Sequence, residues 1–303
     1  MRIVVTGGTG FIGREIVDGL LADGGDDQVV VVTRDPGRAE SWGGRVEHAQ
    51  AFAGDPVSLG RAFTGADVVV HAIQFPNHPV EDPARGRTYL EVDGRGTAVA
   101  VETARKLGVR RFVYLSGAGA GQGRAEPWFR AKDMAEAAIR ASGLEHTLLR
   151  PSWIYGPRDR SLNRFVFFCR HLPLVPVIGD GRTHVDPIAV EDVARCAVAA
   201  ARRPDATAGA FDLGGPERLT MDEIIRTVQR VLGKRRPLLH HPASLMKLLV
   251  RPMALMPEPL LSPGAIDFIL QEVAVDPRPA MAHFGFEFTR LEDGLRRYLA
   301  PGA

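Results

Sequence analysis

The chain has 303 residues, enough to bury a substantial core in one large domain or in a domain with a smaller lobe. Its 38 basic and 36 acidic side chains leave a formal net charge of +2, which gives no reason to expect nucleic acid as a partner. Cys169 and Cys196 are the only cysteines, and no Cys/His ligand spacing accompanies them. We therefore expect free core thiols, a reducing compartment and no metal site.

The sequence contains no pattern typical of export or of membrane insertion. Residues 1–13 lack the charged start, apolar stretch and cleavage site of a signal peptide. The nearest candidate for a membrane segment, residues 245–255, is interrupted by Lys247, Arg251 and Pro252. It fits a lid or core helix, or alternatively a face for a membrane surface or a partner. We expect a cytoplasmic protein without a transmembrane segment, with peripheral membrane contact as an open alternative.

Short β-branched runs alternate with helical patterns from the start of the chain. Because parallel strands need helical connections that cover both faces of the sheet, this alternation predicts an α/β fold, a doubly wound parallel sheet of the Rossmann type. The strand-like runs are residues 2–6, 29–33, 67–72, 111–116 and 146–149, and the helical patterns between them include residues 14–22 and 97–107.

After Arg150 frequent prolines predict a smaller C-terminal lobe of loops and short elements on the substrate side. A helix over residues 190–201 and a strand over residues 210–213 are expected to return to the sheet. A capping box of Thr220 and Glu223 opens a predicted helix that Gly233 ends. The expected domains are residues 1–150 plus about 189–213 for the dinucleotide and about 151–188 plus 214–303 for the substrate.

A glycine-rich loop lies between the first strand and the first helix. Gly7 permits a tight turn, Gly10 lets the backbone approach a pyrophosphate, and Gly13 allows the helix to pack closely on the strand. Phe11 and Ile12 open the helix, whose amide donors and dipole favour an anion. The loop predicts a dinucleotide site, and the alternative is a glycine turn that binds no nucleotide.

The end of the second strand bears on the choice of cofactor. A carboxylate there would accept from the ribose hydroxyl and repel a 2′-phosphate, but this strand ends in Thr33 and Arg34. Arg34 could pair with the phosphate and Thr33 offers a hydroxyl. NADP(H) is therefore the preferred cofactor and NAD(H) a possible one. In the alternative, Arg34 is solvated and Asp35 holds the ribose.

Three further motifs accompany the glycine loop. They are Arg111-Phe-Val-Tyr-Leu-Ser116, Arg150-Pro-Ser-Trp-Ile-Tyr-Gly-Pro-Arg-Asp159 and Pro187-Ile-Ala-Val-Glu-Asp-Val193. With this loop, they resemble the short-chain dehydrogenase/reductase superfamily. The similarity is greatest to its atypical, extended-like branch, which contains the 39-kDa accessory subunit of respiratory complex I and its bacterial relatives. The resemblance covers roughly residues 1–235 and implies a Rossmann fold, an NAD(P) cofactor and an oxidoreductase activity.

The resemblance also implies a catalytic Tyr-x-x-x-Lys pair on the helix after the strand 111–116. Lys132 matches the lysine, which is expected to hold the nicotinamide ribose. The tyrosine position is Trp128, and an indole N–H donates a hydrogen bond but is no general acid near neutral pH. Tyr155 lies in a segment that faces the nicotinamide in relatives, so it is a candidate substitute, with packing as the alternative.

Other positions match the family less closely. Ser116 ends its strand and either faces the cofactor or is a strand-end hydroxyl, because Gly117 follows where further hydroxyls are usual. Asp93 stands where extended members carry asparagine. Asp55 either accepts from the adenine amino group or caps a helix. The expected cofactor-binding set is Gly7, Gly10, Phe11, Ile12, Gly13, Thr33, Arg34, Asp55, Ala72, Lys132 and Pro151, and the catalytic candidates are Lys132, Ser116 and Tyr155.

Two further pairs lie near the expected pocket. Arg158 and Asp159 either reach substrate or cofactor phosphate or pair with each other, and His184 with Asp186 either forms an acid/base pair or belongs to a surface loop. Three classes of function fit these residues: an oxidoreductase, a non-redox epimerase or isomerase, and a cofactor-binding structural, sensory or assembly protein. The expected partners are a dinucleotide and a small-molecule substrate, and the chain is expected to be a monomer or homodimer.

Overall fold

The computed structural model describes residues 1–22, 26–75, 78–203, 209–252 and 261–299. The strands are β1 Arg2–Thr6, β2 Gln28–Thr33, β3 Glu47–Gln50, β4 Val68–His71, β5 Arg111–Leu115, β6 Glu145–Pro151, β7 Ile154–Tyr155, β8 Val175–Ile178, β9 His184–Val185, β10 Ile188–Ala189, β11 Gly209–Leu213, β12 Leu219–Thr220 and β13 Leu238–His241. The α-helices are α1 Phe11–Ala22, α2 Pro56–Phe63, α3 Gly96–Lys106, α4 Pro127–Ala141, α5 Leu162–His171, α6 Val190–Arg202, α7 Met221–Val231, α8 Ala243–Val250, α9 Pro263–Ile269, α10 Arg278–Phe284 and α11 Leu291–Leu299.

Seven strands form the central sheet in the order β11-β6-β5-β4-β1-β2-β3. Every neighbouring pair in it is parallel. The order reverses between β1 and β4, so the connections that leave these two strands run in opposite directions. This reversal opens a crevice at the carboxyl ends of the strands, which is where open α/β sheets bind ligands.

Alternate residues of each central strand enter two separate cores. Ile3 and Val5 of β1 pack with α1, α6 and α10 on one face. Val4 packs with α2, α3 and α4 on the other face. Burial on both faces is the reason that the strands are continuous apolar runs, and the predicted doubly wound fold is confirmed.

A third core is built mainly from the C-terminal half. It unites α5, α7 and α11 with the short strand β8, and it contains buried side chains such as Leu162, Ile224 and Leu295. Cys169 belongs to this core and Cys196 to the first, and both are buried free thiols, as expected. The tail contributes to two cores, because Phe284 of α10 lies against the central sheet and Leu295 of α11 in the third core.

The capping box at the start of α7 is present. Thr220 Oγ1 accepts from the Glu223 amide at 3.2 Å, and Glu223 Oε2 accepts from the Thr220 amide at 2.8 Å. Gly233 follows the helix with φ of 62°. Among the elements that were not predicted from the sequence are the short strand β3 and a π-helical segment, Tyr89–Arg95, that leads into α3.

The segment expected to be a lid, core helix or membrane face contains α8. Leu245, Leu248 and Leu249 of this helix are 45%, 58% and 60% exposed, so it is not a core helix. Residues 253–255 of the expected segment lie outside the described residues. Within the described ranges, no helix has the length and apolar character to cross a bilayer.

Candidate functional site

The glycine loop connects β1 to α1 at the crevice. Gly7 has φ of 67°, and a Cβ there would lie 2.5 Å from the carbonyl oxygen of Ala72. A Cβ on Gly13 would lie 2.1 Å from the Gly7 carbonyl oxygen, so neither position accepts a side chain. The Gly10 amide donates to Gly7 O at 2.8 Å and closes the turn. These close approaches explain the glycines by geometry.

The start of α1 fits a pyrophosphate. Phe11 and Ile12 lie in the first turn, where backbone N–H groups have no partner inside the helix. No acidic residue occupies that turn. A Cβ on Gly10 would meet only the Gly7 carbonyl oxygen within 4 Å, so the approach from outside is open. The loop can therefore hold the phosphates of a dinucleotide through amide donors and the helix dipole.

The carboxyl end of β2 presents a cation and a carboxylate that is already engaged. The exposed Arg34 guanidinium has no hydrogen bond or ion pair with any described residue. Asp35 Oδ1 accepts from the Gly37 amide at 3.2 Å and caps the 3₁₀-helical segment Pro36–Arg45. Thr33 Oγ1 bonds to Thr9 Oγ1 at 3.0 Å and shapes the turn. Arg34 is the group here that is free to meet a phosphate.

Asp55 occupies the capping position at the start of α2. Its two carboxylate oxygens accept from the Val57 amide at 3.1 Å and the Ser58 amide at 3.3 Å. Hydrogen bonds from Ser58 and Val57 lower the pKa of the Asp55 carboxyl. Of the two roles considered for Asp55, the structure contains the cap, and the adenine contact stays a prediction.

Lys132 is a buried cation on the inner face of α4. Its ammonium donates to Asp93 Oδ1 at 2.9 Å and to Tyr114 Oη at 3.3 Å. Lys132 is 2% exposed and Asp93 0%, so the pair is removed from water. Burial alone would lower the pKa of Lys132, but the charge of Asp93 outweighs it and the pKa is raised. Because an ammonium has three N–H donors, one remains for a ribose hydroxyl.

His71, at the end of β4, extends this polar interior, and sequence reasoning missed it. Its Nδ1 bonds to Thr6 Oγ1 at 2.8 Å and its Nε2 to Thr97 Oγ1 at 3.2 Å. Burial, with the nearby charge of Lys132, lowers the pKa of His71 to about 3, so the ring is neutral. A histidine that ends the buried run 68–71 was the available sequence signal.

Trp128 and Gly117 occupy one shared space. A Cβ on Gly117 would lie 2.3 Å from Cζ2 of the indole, so the ring fills the volume that a side chain at position 117 would need. The two departures from the family pattern are therefore one packing arrangement. Trp128 Nε1 is buried and has no hydrogen-bond partner in the described part of the chain.

An aromatic cluster surrounds that indole. We define the aromatic cluster as Phe75, His78, Tyr89, Trp128 and Phe268. Phe268 comes from α9 and lies 4.9 Å from the ring centroid of His78 and 5.5 Å from that of Trp128. Tyr89 Oη and His78 Nδ1 are, like Trp128 Nε1, buried without a partner among the described residues. Three unpaired polar atoms in one cluster indicate a place for a polar ligand group.

Ser116 does not stand free at the cofactor side. Its hydroxyl donates to Glu136 Oε1 at 2.7 Å, and Arg150 donates to the same carboxylate at 2.8 and 2.6 Å. Burial opposes ionisation of Glu136, but the hydrogen bonds from Arg150 and Ser116 prevail and lower its pKa. The Ser116 hydroxyl is therefore engaged in this network, and its catalytic role stays a prediction.

Tyr155 is likewise enclosed by packing, and its role as a substitute for the catalytic tyrosine stays a prediction. It is 1% exposed, belongs to the third core and donates to the Arg290 carbonyl at 3.4 Å. A Cβ on Gly294 of α11 would lie 2.2 Å from its hydroxyl oxygen, so the C-terminal helix covers it. Pro151, by contrast, ends β6 at the carboxyl edge, where its carbonyl accepts from the Ala118 amide at 2.9 Å.

The two polar pairs suggested near the pocket are not pairs. Arg158 bonds to Glu15 at 2.7 Å, and Asp159 accepts from the Ser161 and Leu162 amides at 2.8 and 2.6 Å. The partners of the other pair also differ. His184 faces Glu272 at 3.6 Å, whereas Asp186 accepts from Arg218 at 3.1 Å.

Comparison with known proteins places these features in a family. A family model described as NAD(P)H-binding matches residues 7–204. A ceramide reductase of Caulobacter vibrioides is 31% identical over 245 residues, covering 79% of this chain and 73% of the relative. A (4-alkanoyl-5-oxo-2,5-dihydrofuran-3-yl)methyl phosphate reductase of Streptomyces griseus is 33% identical over 242 residues, with coverages of 77% and 74%.

A third relative is the alpha subcomplex subunit 9 of the mitochondrial NADH dehydrogenase [ubiquinone] 1 of Arabidopsis thaliana. It is 29% identical over 271 residues, covering 86% of this chain and 66% of the relative. Among solved structures, a UDP-glucose 4-epimerase from Thermotoga maritima superimposes with a TM-score of 0.76 at 23% identity, covering 98% of both chains. An NADPH-dependent quinone oxidoreductase from Escherichia coli, solved with NADPH, gives 0.75 at 18% identity with coverages of 97% and 99%. These structures share the fold.

Proposed function

Because the chain belongs to the NAD(P)H-binding family whose model matches residues 7–204, we propose that it is an NADP(H)-dependent oxidoreductase. Its substrate in this proposal is a small organic molecule, and the usual catalytic tyrosine is absent. Membership of the family confirms the resemblance found in the sequence. The observation that supports catalysis is Lys132, a buried charge beside the crevice. A buried ion pair seldom adds stability, so its presence near a cofactor site favours a functional role.

Different residues of the crevice bind different parts of the dinucleotide in this proposal. A reduced nicotinamide, when bound, supplies a hydride. The amides of the glycine loop hold the pyrophosphate, and the remaining N–H of Lys132 orients the nicotinamide ribose. Ala72 directly follows β4 and Pro151 ends β6, so both lie at the carboxyl edge of the sheet, where the dinucleotide would bind. The names of two relatives, both reductases, support reductase chemistry for this chain.

The preference for NADP(H) follows from Arg34 and Asp35. Arg34 is exposed and unpaired within the described residues, whereas the Asp35 carboxylate caps the following segment. A guanidinium that meets a phosphate makes charge-assisted hydrogen bonds, each worth about 1.5–3 kcal/mol. NADPH should therefore raise the midpoint of thermal unfolding more than NADH at equal concentration, since a ligand of the native state stabilises it by mass action.

Arg34→Ala tests this preference. We expect the variant to lose about tenfold or more in NADPH affinity, with NADH affinity unchanged, in calorimetric titration or thermal unfolding. Arg105→Ala is the matched control, because Arg105 is an exposed arginine that pairs with Glu102 on α3. An equal loss of affinity for both cofactors, or no loss of affinity, would contradict the proposed preference for NADP(H). No stabilisation of protein freed of copurified cofactor by any dinucleotide would refute the proposed function.

Trp128 favours a second candidate, a cofactor-binding structural or sensory protein, which needs no general acid. A non-redox epimerase is a third candidate. Cofactor binding without turnover would support the structural or sensory protein, and turnover without net change in cofactor absorbance would support the epimerase. The cytoplasmic location, the division into two lobes and the monomeric or homodimeric state stay predictions.

A further inference from the structure

We propose that the aromatic cluster binds a planar conjugated carbonyl compound, an enone or a close analogue, whose oxygen accepts from Trp128 Nε1–H and Tyr89 Oη–H. The inference rests on the proposed oxidoreductase function and names its substrate class. The enone would be reduced at its carbon–carbon double bond.

The unpaired donors specify an acceptor. An indole N–H only donates, and burying it without an acceptor is unfavourable. Trp128 Nε1 and Tyr89 Oη are both buried without a partner among the described residues, and Tyr89 is 5% exposed. A carbonyl oxygen has two lone pairs and satisfies two donors at once. A ligand that carries such an oxygen would therefore provide both buried donors with a hydrogen-bond partner.

The walls of the cluster favour a flat, apolar body behind that oxygen. Tyr89 and Phe268 are inclined by only 28°, with centroids 6.3 Å apart. A flat molecule between two ring faces needs about 7 Å, since carbon atoms in contact lie about 3.5 Å apart. The His78 ring packs edge-on against both rings, with centroids 5.5 Å from Tyr89 and 4.9 Å from Phe268. Entry of such a molecule would therefore require Phe268 to move by about 1 Å and His78 to move aside.

The cluster offers no general acid whose pKa lies near neutral pH, where general acid catalysis is most effective. Burial raises the pKa of Tyr89, and burial with the nearby charge of Lys132 lowers that of His78 to about 3. Lys132 is held as a cation by Asp93. Hydride addition to an isolated carbonyl carbon makes an alkoxide, which demands a general acid. This site therefore suits an acceptor whose reduction does not need one.

A conjugated carbonyl is such an acceptor. The C4–H bond of the reduced nicotinamide breaks and its hydride forms a C–H bond at the β carbon. The carbon–carbon π electrons move so that negative charge reaches the oxygen, giving an enolate. The donors of Trp128 and Tyr89 stabilise that oxygen as charge develops. Water then protonates the α carbon, so one NADPH and one proton are consumed for each saturated ketone formed.

The first test detects the hydrogen bond itself. The chain has 3 tryptophans, so ¹⁵N-labelled full-length protein gives three indole N–H resonances, which Trp→Phe variants assign. With NADP⁺ bound, added benzylideneacetone should move the Trp128 resonance downfield, while those of Trp42 and Trp153 stay in place. A Trp128 resonance that does not move, in protein shown by thermal unfolding to hold NADP⁺, overturns the assignment of the cluster.

The second test compares two acceptors with one carbon skeleton. Benzylideneacetone should be reduced at least about tenfold faster than 4-phenyl-2-butanone, which lacks the double bond, and 4-deuterated NADPH should place deuterium at the β carbon. Trp128→Phe and Tyr89→Phe should each lower kcat/KM about tenfold, with stabilisation by NADPH unchanged. Tyr298→Phe is the control, because its hydroxyl bonds to Asn163 in the third core.

The outcomes separate the two proposals. Equal rates with both compounds, or variants as active as the parent, would refute the conjugated substrate and leave an oxidoreductase. NADPH that binds but is oxidised neither by these compounds nor by a panel of ketones and aldehydes would refute the oxidoreductase as well. Deuterium at the carbonyl carbon would assign ordinary ketone reduction instead.

Discussion

At position 128 an indole stands where the resemblance implies a phenol, and the consequences reach its neighbour. The Gly117 Cα lies so close to the ring that an added Cβ would be 2.3 Å from Cζ2. The indole thus explains why position 117 has no side chain, and the glycine leaves the space that the indole occupies. The sequence indicated both departures, but their contact lay beyond it, because nothing in a spacing of eleven residues across a strand end and a loop defines where a side chain points.

A double-mutant cycle tests this contact. Gly117→Ala should destabilise the parent protein by about 1–3 kcal/mol through overpacking, but should cost less than about 0.5 kcal/mol in a Trp128→Phe background, where the larger ring is gone. Denaturant unfolding measures both. Gly60→Ala is the control, since a Cβ at Gly60 on α2 meets no atom within 4 Å. Equal costs of Gly117→Ala in the two backgrounds would contradict the shared space.

At the scale of one element, α4 places three different side chains on its inner face at intervals of four residues. Trp128 lies in the aromatic cluster, Lys132 in the buried ion pair and Glu136 in the network with Ser116 and Arg150. Residues four apart in a helix share a face, so the helix places the aromatic cluster, the buried ion pair and the network with Ser116 in sequence along its axis.

Glu136→Gln tests the scaffold end of α4. Removing the charge takes the nearest counter-ion from Arg150, which keeps only Asp212 at 3.8 Å, and it also unpairs Arg140. We therefore expect a loss of about 3 kcal/mol near neutral pH in denaturant unfolding. The folded pKa of Glu136 is lowered from 4.5, so its contribution is present above that value and is lost as pH falls through the folded pKa. The difference between parent and variant should therefore shrink below about pH 4.5.

The control for this prediction is Glu102→Gln on α3. Glu102 pairs with Arg105 on the surface, where ion pairs add little stability. This variant should unfold like the parent at every pH. A Glu136→Gln variant that loses as much stability at pH 3 as at pH 7 would show that the charge of Glu136 is not what stabilises the network.

Elements with a strong local pattern were predictable, whereas contacts between distant elements were not. The strands β1, β2, β4, β5, β6 and β11 were predicted from apolar runs, and α7 was predicted from its capping box. The ion pair of Lys132 joins residues 39 apart in sequence, and Phe268 reaches the aromatic cluster from a segment without a recognisable motif. Register with the family identified Lys132 itself, but its partner and the ring of Phe268 depend on how α4, α9 and the segment 89–95 pack together.

At the scale of the whole molecule, the C-terminal tail joins two of the three cores. Phe284 packs against the central sheet and Leu295 in the third core, and only residues 285–290 separate α10 from α11. The Thr289 amide between them donates to the buried Asp192 of α6 at 2.6 Å. The tail thus couples the central sheet to the third core by packing.

This coupling predicts one cooperative transition in calorimetry. Phe284→Ala and Leu295→Ala should each lower its stability by about 2–5 kcal/mol, because each leaves a cavity in a core. Leu107→Ala, at an exposed leucine after α3, is the matched control and should have little effect. Two transitions, each moved by only one of the core variants, would show that the two cores unfold independently.

The shared space of Trp128 and Gly117 also constrains how this chain could change over generations. A hydroxyl-bearing side chain at position 117 would destabilise the protein while the indole is present, because its Cβ would collide with the ring. A lineage that acquired the tyrosine-type chemistry would therefore lose less stability by replacing Trp128 first and Gly117 afterwards. The volume that side chains at the two positions share therefore determines the order in which positions 128 and 117 can be substituted with the smaller loss of stability.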